Sequence, residues 1–429
     1  MGAQPANRRR HHSPRSVFVA TLVTLGVWGL VACGADRDSN APRVLRVEAG
    51  GSIQEVVDSA RRGDMVLVAP GTYHEEVVID TPGVTLRGED RNTVVLDGQS
   101  VLNNGVFVSA DGVSVENLTV HHYGVNGVVF SGVSEQGDIS PLDGFRMAYL
   151  TAYDNGLYGL YAFQASNGVI EHSYASGHPD SGIYVGQCGR PEGGGADLVP
   201  CNVVVRDVIA EYNAVGYEGT NSSQVWVIES VFRNNRVGIT PNSQSLEYFT
   251  PQTETIVAGN LVLDNNEVDA PEQASGAIGL GIAVGSGTDN LIIRNRVVGH
   301  ARAGIAITVL DEFTPAGNRV EGNIVDGNAV DLAYWQFGGT TERAGNCFVD
   351  NTFGTSMPAD IETVLACDGG AGSLEAPVVP ALASPDGPRY SDVPAPPAQP
   401  TMPGDVTLFG LPPRFELPSL ADIVVPDLP

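Results

Sequence analysis

Residues 205–220 read VRDVIAEYNAVGYEGT and residues 228–243 read IESVFRNNRVGITPNS. Each opens on β-branched residues, passes through a turn holding Asn213 or Asn235, and resumes at a glycine followed by alternating apolar positions. Strand side chains alternate between two faces, so the glycine-led segments read as short strands with one apolar face. A unit this short cannot bury that face alone and must stack on another copy of itself.

Copies return from about Val77 to Phe348, among them VENLTVHHYGVNGVVF, MAYLTAYDNGLYGLYA, IEHSYASGHPDSGIYV, IRNRVVGHARAGIAIT and VEGNIVDGNAVDLAYW. Aligned on Asn117, Tyr149, His172, Asp207, Ser230, Asn260, Asn295 and Asn323, the intervals are 32, 23, 35, 23, 30, 35 and 28 residues. A bare unit of 23 with insertions accounts for them. The turns place Asn155, Asn213, Asn235 and Asn328 at matching positions, with His178 and His300 substituting. Asparagine tolerates left-handed backbone, and its amide can bond to the same residue one coil away.

A stacked asparagine row of this kind is similar to the ladders inside right-handed parallel β-helices. Residues 51–80, GSIQEVVDSARRGDMVLVAPGTYHEEVVID, read as a short helix starting at Ser52, with Glu55 in capping-box position, followed by a strand. That block looks like the N-terminal cap of the pectin-lyase-like superfamily. The resemblance implies an all-β, single-stranded right-handed parallel β-helix of roughly 10 coils over residues 44–370. The superfamily holds pectate lyases, polygalacturonases, alginate lyases and epimerases, phage tailspikes, periplasmic helpers of copper-enzyme maturation and exported members without known activity; the chain looks closest to the last group. It carries no adjacent Asp-Asp followed by Gly-His-Gly and Arg-Ile-Lys, and GHPDSG at 177–182 reverses the His and Asp order of the epimerase motif. Catalytic residues therefore do not transfer directly.

Charge and composition bound the function. The 429 residues carry 50 acidic and 23 basic side chains, a net charge of -27, which repels a nucleic-acid backbone. Every basic residue is arginine, so Schiff-base and lysine general-base mechanisms are excluded. Residues 1–33 read as a targeting segment: Arg8, Arg9, Arg10 and Arg15, an apolar run from Val17 to Ala32, then Cys33. Leu30, Val31, Ala32 and Cys33 resemble a bacterial lipobox, which implies lipidation at Cys33 and a membrane-anchored, extracytoplasmic protein. Loss of that segment, with four arginines and no acids, takes the net charge to -31. Four other cysteines remain, and sequence proximity favours the pairs Cys188 with Cys201 and Cys347 with Cys367. After a short linker at 34–43 and the repeats to 370, the last 58 residues hold 14 of the 28 prolines. That tail reads as extended, either hugging the solenoid or reaching for a protein partner.

Alternation along the glycine-led strand turns Leu160, Ala162, Ile183, Val185, Ile239, Ile282, Ile305 and Ile307 inward. The outward row runs Val129, Tyr161, Tyr184, Glu218, Thr240. Two tyrosines beside a carboxylate suit a sugar ring, aromatic face to apolar ring face and acid to hydroxyl. His178 and Asp180 lie in the turn leading to this strand, with Asp154 and Glu211 on neighbouring coils. Insertions at 131–142, 187–201, 240–254 and 308–317 leave the same strand and should wall a groove. Three readings follow: a carbohydrate-binding or interaction scaffold; a polysaccharide lyase, epimerase or hydrolase; and an accessory to a metalloenzyme or cytochrome, with the tail as contact. Hydrolysis would use Asp180 with Glu218 or Glu211. Elimination would need His178, Tyr184 or an arginine as base, and an anionic polymer would need bound Ca²⁺. The adjacent His121 and His122 are a copper or zinc fragment for which the sequence indicates no third ligand.

Overall fold

The computed structural model describes residues 41–133, 140–188, 200–247, 249–272, 277–311, 313–335, 340–369, 373–375, 382–404 and 417–429. Cys33 and the targeting segment lie outside them. Residues Pro42–Pro429 form one unit.

The repeating unit makes three strands. One coil runs Val113–Glu116, Thr119–His121 and Asn126–Ser131; the next runs Leu142–Ala148, Thr151–Tyr153 and Tyr158–Phe163. Each strand pairs in parallel only with its equivalents above and below, giving three sheets of 12, 11 and 11 strands. We call these sheets I, II and III in the order that the chain visits them. Sheets II and III count eleven coils, in line with the roughly 10 expected. All eight residues assigned inward from alternation are fully buried in one continuous apolar core.

Internal ladders lock the register. In the turn between sheets II and III, the side-chain oxygen of each residue accepts from its predecessor one coil earlier, in the order Tyr123, Asn155, His178, Asn213, Asn235, Asn265, His300 and Asn328; at the histidines a ring nitrogen takes the acceptor's place. The series ends on Asp331. A second ladder joins Ser230, Asn260, Asn295, Asn323 and Asn351 and ends on the carboxylate of Glu362. A third, Asn290, Asn318 and Asn346, is absent from the sequence reading. The glycine after each turn follows from the ladder: a Cβ on Gly182 would sit 2.7 Å from Asn213 Nδ2.

The structure also corrects the alignment by one residue. Val208, not Asp207, is level with Ser230, while Asp207 is level with Glu229 in a column of left-handed residues that includes Asn117, Tyr149 and His172. The bare unit there is therefore 22 residues.

Both ends are closed by helices. Ser52 caps the helix Ile53–Asp58 by accepting from the Glu55 amide, and Glu75, rather than Glu55, accepts from the amides of Ile53 and Gln54. At the far end Ile361 and Leu365, in and just after the helix Ile361–Val364, seal the core. The two disulfides join Cys188 to Cys201 and Cys347 to Cys367.

The described tail residues lie against the solenoid and are held by arginine. Buried Arg236 donates to Ser384 Oγ at 2.7 Å and the Pro385 carbonyl at 2.8 Å; buried Arg91 donates to the Pro400 carbonyl at 3.1 Å. Arg294 donates to the carbonyls of Leu420 and Ile423, and Ile423 packs on the outward residues Val169, Val204, Ile228, Ala258 and Ile293 of sheet I.

The ladder makes a quantitative expectation. Asn295 donates to Val257 O and Asn323 Oδ1 and accepts from Asn260 N and Nδ2, so Asn295→Ala strands several buried polar groups. It should cost about 3 kcal/mol or more in denaturant unfolding, whereas an exposed asparagine such as Asn92 should cost far less.

Candidate functional site

The outward row of sheet III is in register. Val129 pairs with Tyr161, Tyr161 with Tyr184, Tyr184 with Glu218 and Glu218 with Thr240. The Tyr161 and Tyr184 rings stack with centroids 4.8 Å apart. Two further rings that the sequence reading leaves out join them: Tyr158 lies 4.4 Å from Tyr161 and 5.2 Å from Tyr184, and Phe163 lies 5.6 Å from Tyr161. Alternation signalled Phe163, two residues from Tyr161 on the same strand, but not Tyr158, which shares the parity of the inward Leu160 and Ala162. The cluster is partly covered, with Tyr184 only 3% exposed and Tyr158, Tyr161 and Phe163 half-buried. Burial holds all three phenols far above the usual tyrosine range, so they stay neutral donors.

Asp180 and Glu218 meet at this face. Their carboxyls share a hydrogen bond, Ser181 Oγ reaches Glu218 Oε2 at 2.9 Å, and Asn242 Nδ2 donates to Glu218 Oε1 at 2.9 Å. Burial first, then the neighbouring Asp180 charge, pushes Glu218 up to about 8, so at neutral pH it is mostly protonated. The Tyr158 hydroxyl also bonds Asp180. From the insertion after the strand Val237–Asn242 comes Glu247, which accepts from Gln187 and is raised by its own burial. Ser245 of the same insertion bonds Asp311 of the one after the strand Ala303–Thr308, so two insertions lean on each other beside this sheet.

Three assigned residues are elsewhere. His178 is wholly interior: it accepts from Asn155 at Nε2, donates to Asn213 Oδ1 from Nδ1 at 2.7 Å, and burial pulls it down to about 4. It is a ladder rung and cannot reach a ligand on the outer face. Glu211 belongs to sheet II, where it accepts from the Tyr174 hydroxyl at 2.7 Å and from Arg233 at 2.6 Å. Asp154 stands at the end of the sheet II strand Thr151–Tyr153, beside His122. The residues that come together are thus Tyr161, Tyr184, Asp180 and Glu218. The two carboxyls are hydrogen-bonded to each other, closer than the separation of about 5 Å or more between the paired acids of glycosidases.

A family model described as a right-handed β-helix region matches residues 83–248. With three parallel sheets stacked coil on coil, the fold is a right-handed parallel β-helix. Among solved structures it is similar to the mannuronan C-5 epimerase AlgE4 A-module of Azotobacter vinelandii, at 14% identity and a TM-score of 0.45, over 71% of this chain and 91% of that one. It is also similar to an alginate lyase from Paenibacillus sp. strain FPU-7, at 15% identity and a TM-score of 0.47, over 68% and 98% of the two chains. The pectate lyase Pel9A matches at 13% identity and a TM-score of 0.43, over 73% of this chain and 77% of that one. No curated protein matches the sequence.

The buried acids set a pH dependence. Glu218 and Asp154 are both pushed up to about 8, so the folded state binds more protons than the unfolded chain, and stability falls as pH rises towards 8. The buried histidines His121, His178 and His300, pulled down to about 4, oppose this near pH 6.5, where the unfolded chain still holds part of their protons, and hardly at all between about pH 7.5 and 8. Thermal melts over that interval should show a falling midpoint, and Glu218→Gln should flatten the slope while leaving the share due to Asp154.

Proposed function

We propose that the protein is an exported, lipid-anchored glycan-binding β-helix whose ligand surface is the outer face of sheet III. The observation that carries this reading is the stack of Tyr158, Tyr161 and Tyr184 against the hydrogen-bonded pair Asp180 and Glu218. Stacked rings offer an apolar platform to the C–H face of a pyranose, and the carboxyl pair, its one proton held between Asp180 and Glu218, accepts from hydroxyls. Asn242 Oδ1 and Gln187 Oε1, close to the pair, are buried and have no hydrogen-bond partner among the described residues.

The same chemistry selects the ligand. Asp180, Glu218 and Glu247 cluster on a chain of net charge -27, so an uncharged glycan suits this face. A uronate polymer would be repelled unless Ca²⁺ bridged the two. The two disulfides fit an oxidising compartment outside the cytoplasm, and Cys33 would supply the anchor. The described tail residues spend their contacts on the solenoid, which favours a strap over a docking arm for a protein partner.

A glycan array read with and without Ca²⁺, and assayed in parallel for cleaved or unsaturated products, tests this. Retention of a neutral glycan without product is expected, and Tyr161→Ala should weaken it about tenfold, the worth of one aromatic contact, with unchanged circular dichroism. Undiminished retention in that variant removes the platform; product formation replaces the binding protein with an enzyme.

A further inference from the structure

The parallel register that builds the tyrosine row also builds a second cluster, at the end of sheet II. His74, Asp97, His121 and Tyr153 occupy the same position on four successive coils, and His122 and Asp154 occupy the next one. His122 has left-handed backbone, φ 56°, which folds its ring back against its neighbour's, edge to face with centroids 4.4 Å apart. The result is three donor atoms aimed at one another: His121 Nδ1 and His122 Nδ1 at 2.8 Å, His122 Nδ1 and Asp97 Oδ1 at 3.5 Å, and His121 Nδ1 and Asp97 Oδ1 at 3.8 Å.

We propose that Asp97, His121 and His122 form a zinc-binding site. A point equidistant from the three atoms lies about 2.0 Å from each, which is the bond length zinc takes to imidazole nitrogen and carboxylate oxygen. Two imidazole nitrogens turned towards each other need something between them, a shared proton or a cation, and the carboxylate on the third side favours the cation. Two nitrogens and one oxygen make a borderline donor set, suited to zinc over the hard cation Ca²⁺. The triangle is uneven, which a d¹⁰ ion tolerates and the tetragonal preference of Cu(II) does not.

The surroundings orient each ligand. The Gln99 amide donates to Asp97 Oδ1 at 2.9 Å, and the His74 ring sits 3.7 Å from Asp97 Oδ2. The His121 ring stacks on Tyr153 with centroids 4.6 Å apart and planes 13° from parallel. Behind His122, Asp154 Oδ2 faces Nε2 at 3.8 Å. Asp154 is 2% exposed, and its Oδ1 has no hydrogen-bond partner among the described residues. A carboxylate backing the far nitrogen of a ligating histidine is a recurrent support of zinc sites. His122 keeps 35% of its side chain exposed, so the ion has an approach from solvent, and three protein donors leave it a position for water or another ligand. The site also fastens three consecutive coils together, because Asp97, His121 with His122, and Asp154 come from separate turns of the solenoid.

The test uses the full chain stripped with chelator, titrated with Zn²⁺ in a calorimeter and with Co²⁺ by visible absorption, each with and without excess Ca²⁺. The wild type should take up one equivalent more than Asp97→Asn or His122→Asn, and excess Ca²⁺ should not displace it. Asparagine suits the left-handed backbone at 122, so that variant should keep its circular dichroism. His172→Asn, which alters another left-handed histidine on sheet I, should bind like the wild type, and Asp154→Asn should bind about tenfold more weakly. Zn²⁺ should raise the melting temperature of the wild type and of His172→Asn but not of the two ligand variants. Equal uptake by the wild type and both ligand variants, or no stoichiometric uptake at all, overturns the site.

Discussion

Amide-to-amide hydrogen bonding along the solenoid axis is the constraint on which everything else in this chain rests. Each rung of the ladder from Asn155 to Asn328 satisfies buried polar groups that a turn inside an apolar core would otherwise leave unpaired, and the next rung can do so only from directly above. Vertical register is therefore held against the slip by two residues that alternation alone would allow, as well as the slip by one that apolar packing already forbids. Because the register is fixed, residues far apart in sequence meet in rows. Tyr161, Tyr184 and Glu218 do so on one sheet, and Asp97 and His121 do so on another.

What the sequence made legible follows from this. Period-two alternation placed all eight residues assigned inward correctly, because those positions line one continuous apolar core. Asparagine spacing told the ladder, although His178 shows how one residue type fits two roles: an imidazole with an acceptor and a donor nitrogen replaces an amide in the rungs as well as it serves at an active site. The third ladder was readable and missed, since Asn290, Asn318 and Asn346 repeat the 28-residue step of Asn295, Asn323 and Asn351 five residues earlier. Glu247 near the tyrosines and the direct bond between Asp180 and Glu218 were not readable, because insertion length says nothing of where a loop returns. Asp97 as third partner of the histidine pair needed the exact step from coil to coil, and the aligned series of positions began only at Asn117, one coil later.

The proline-rich tail and the absence of lysine belong to one argument. Proline contributes a carbonyl but no N–H, so an extended proline-rich strand laid on a surface presents acceptors with few donors of its own. Arginine meets that need, with five N–H groups in a rigid fork, and it keeps its charge even where burial pulls Arg91 down to about 10. Arg91, Arg236, Arg294 and Arg296 each bond a tail carbonyl in this way. An ammonium group, compact and more strongly hydrated, would fill fewer of those acceptors and lose more on burial.

Arginine used as a clasp is arginine withheld from acids, and the distribution of what remains is informative. On sheet I, burial alone would raise Glu171, yet Arg206 and Arg146 more than offset it and hold that carboxyl below its usual range. On sheet II, Arg233 pairs with Glu211. Glu218 and Asp154 are as deeply buried, lie next to further acid rather than an arginine, and are pushed up to about 8. Sinking a carboxyl without a counter-charge costs stability that packing alone would not require, and in a chain so rich in acids it could have been avoided by placing them on the surface. Both acids sit where rings, hydroxyls and imidazoles converge. That coincidence, one acid beside the tyrosine stack and the other behind the histidine pair, separates these clusters from the merely structural polar groups of the ladders.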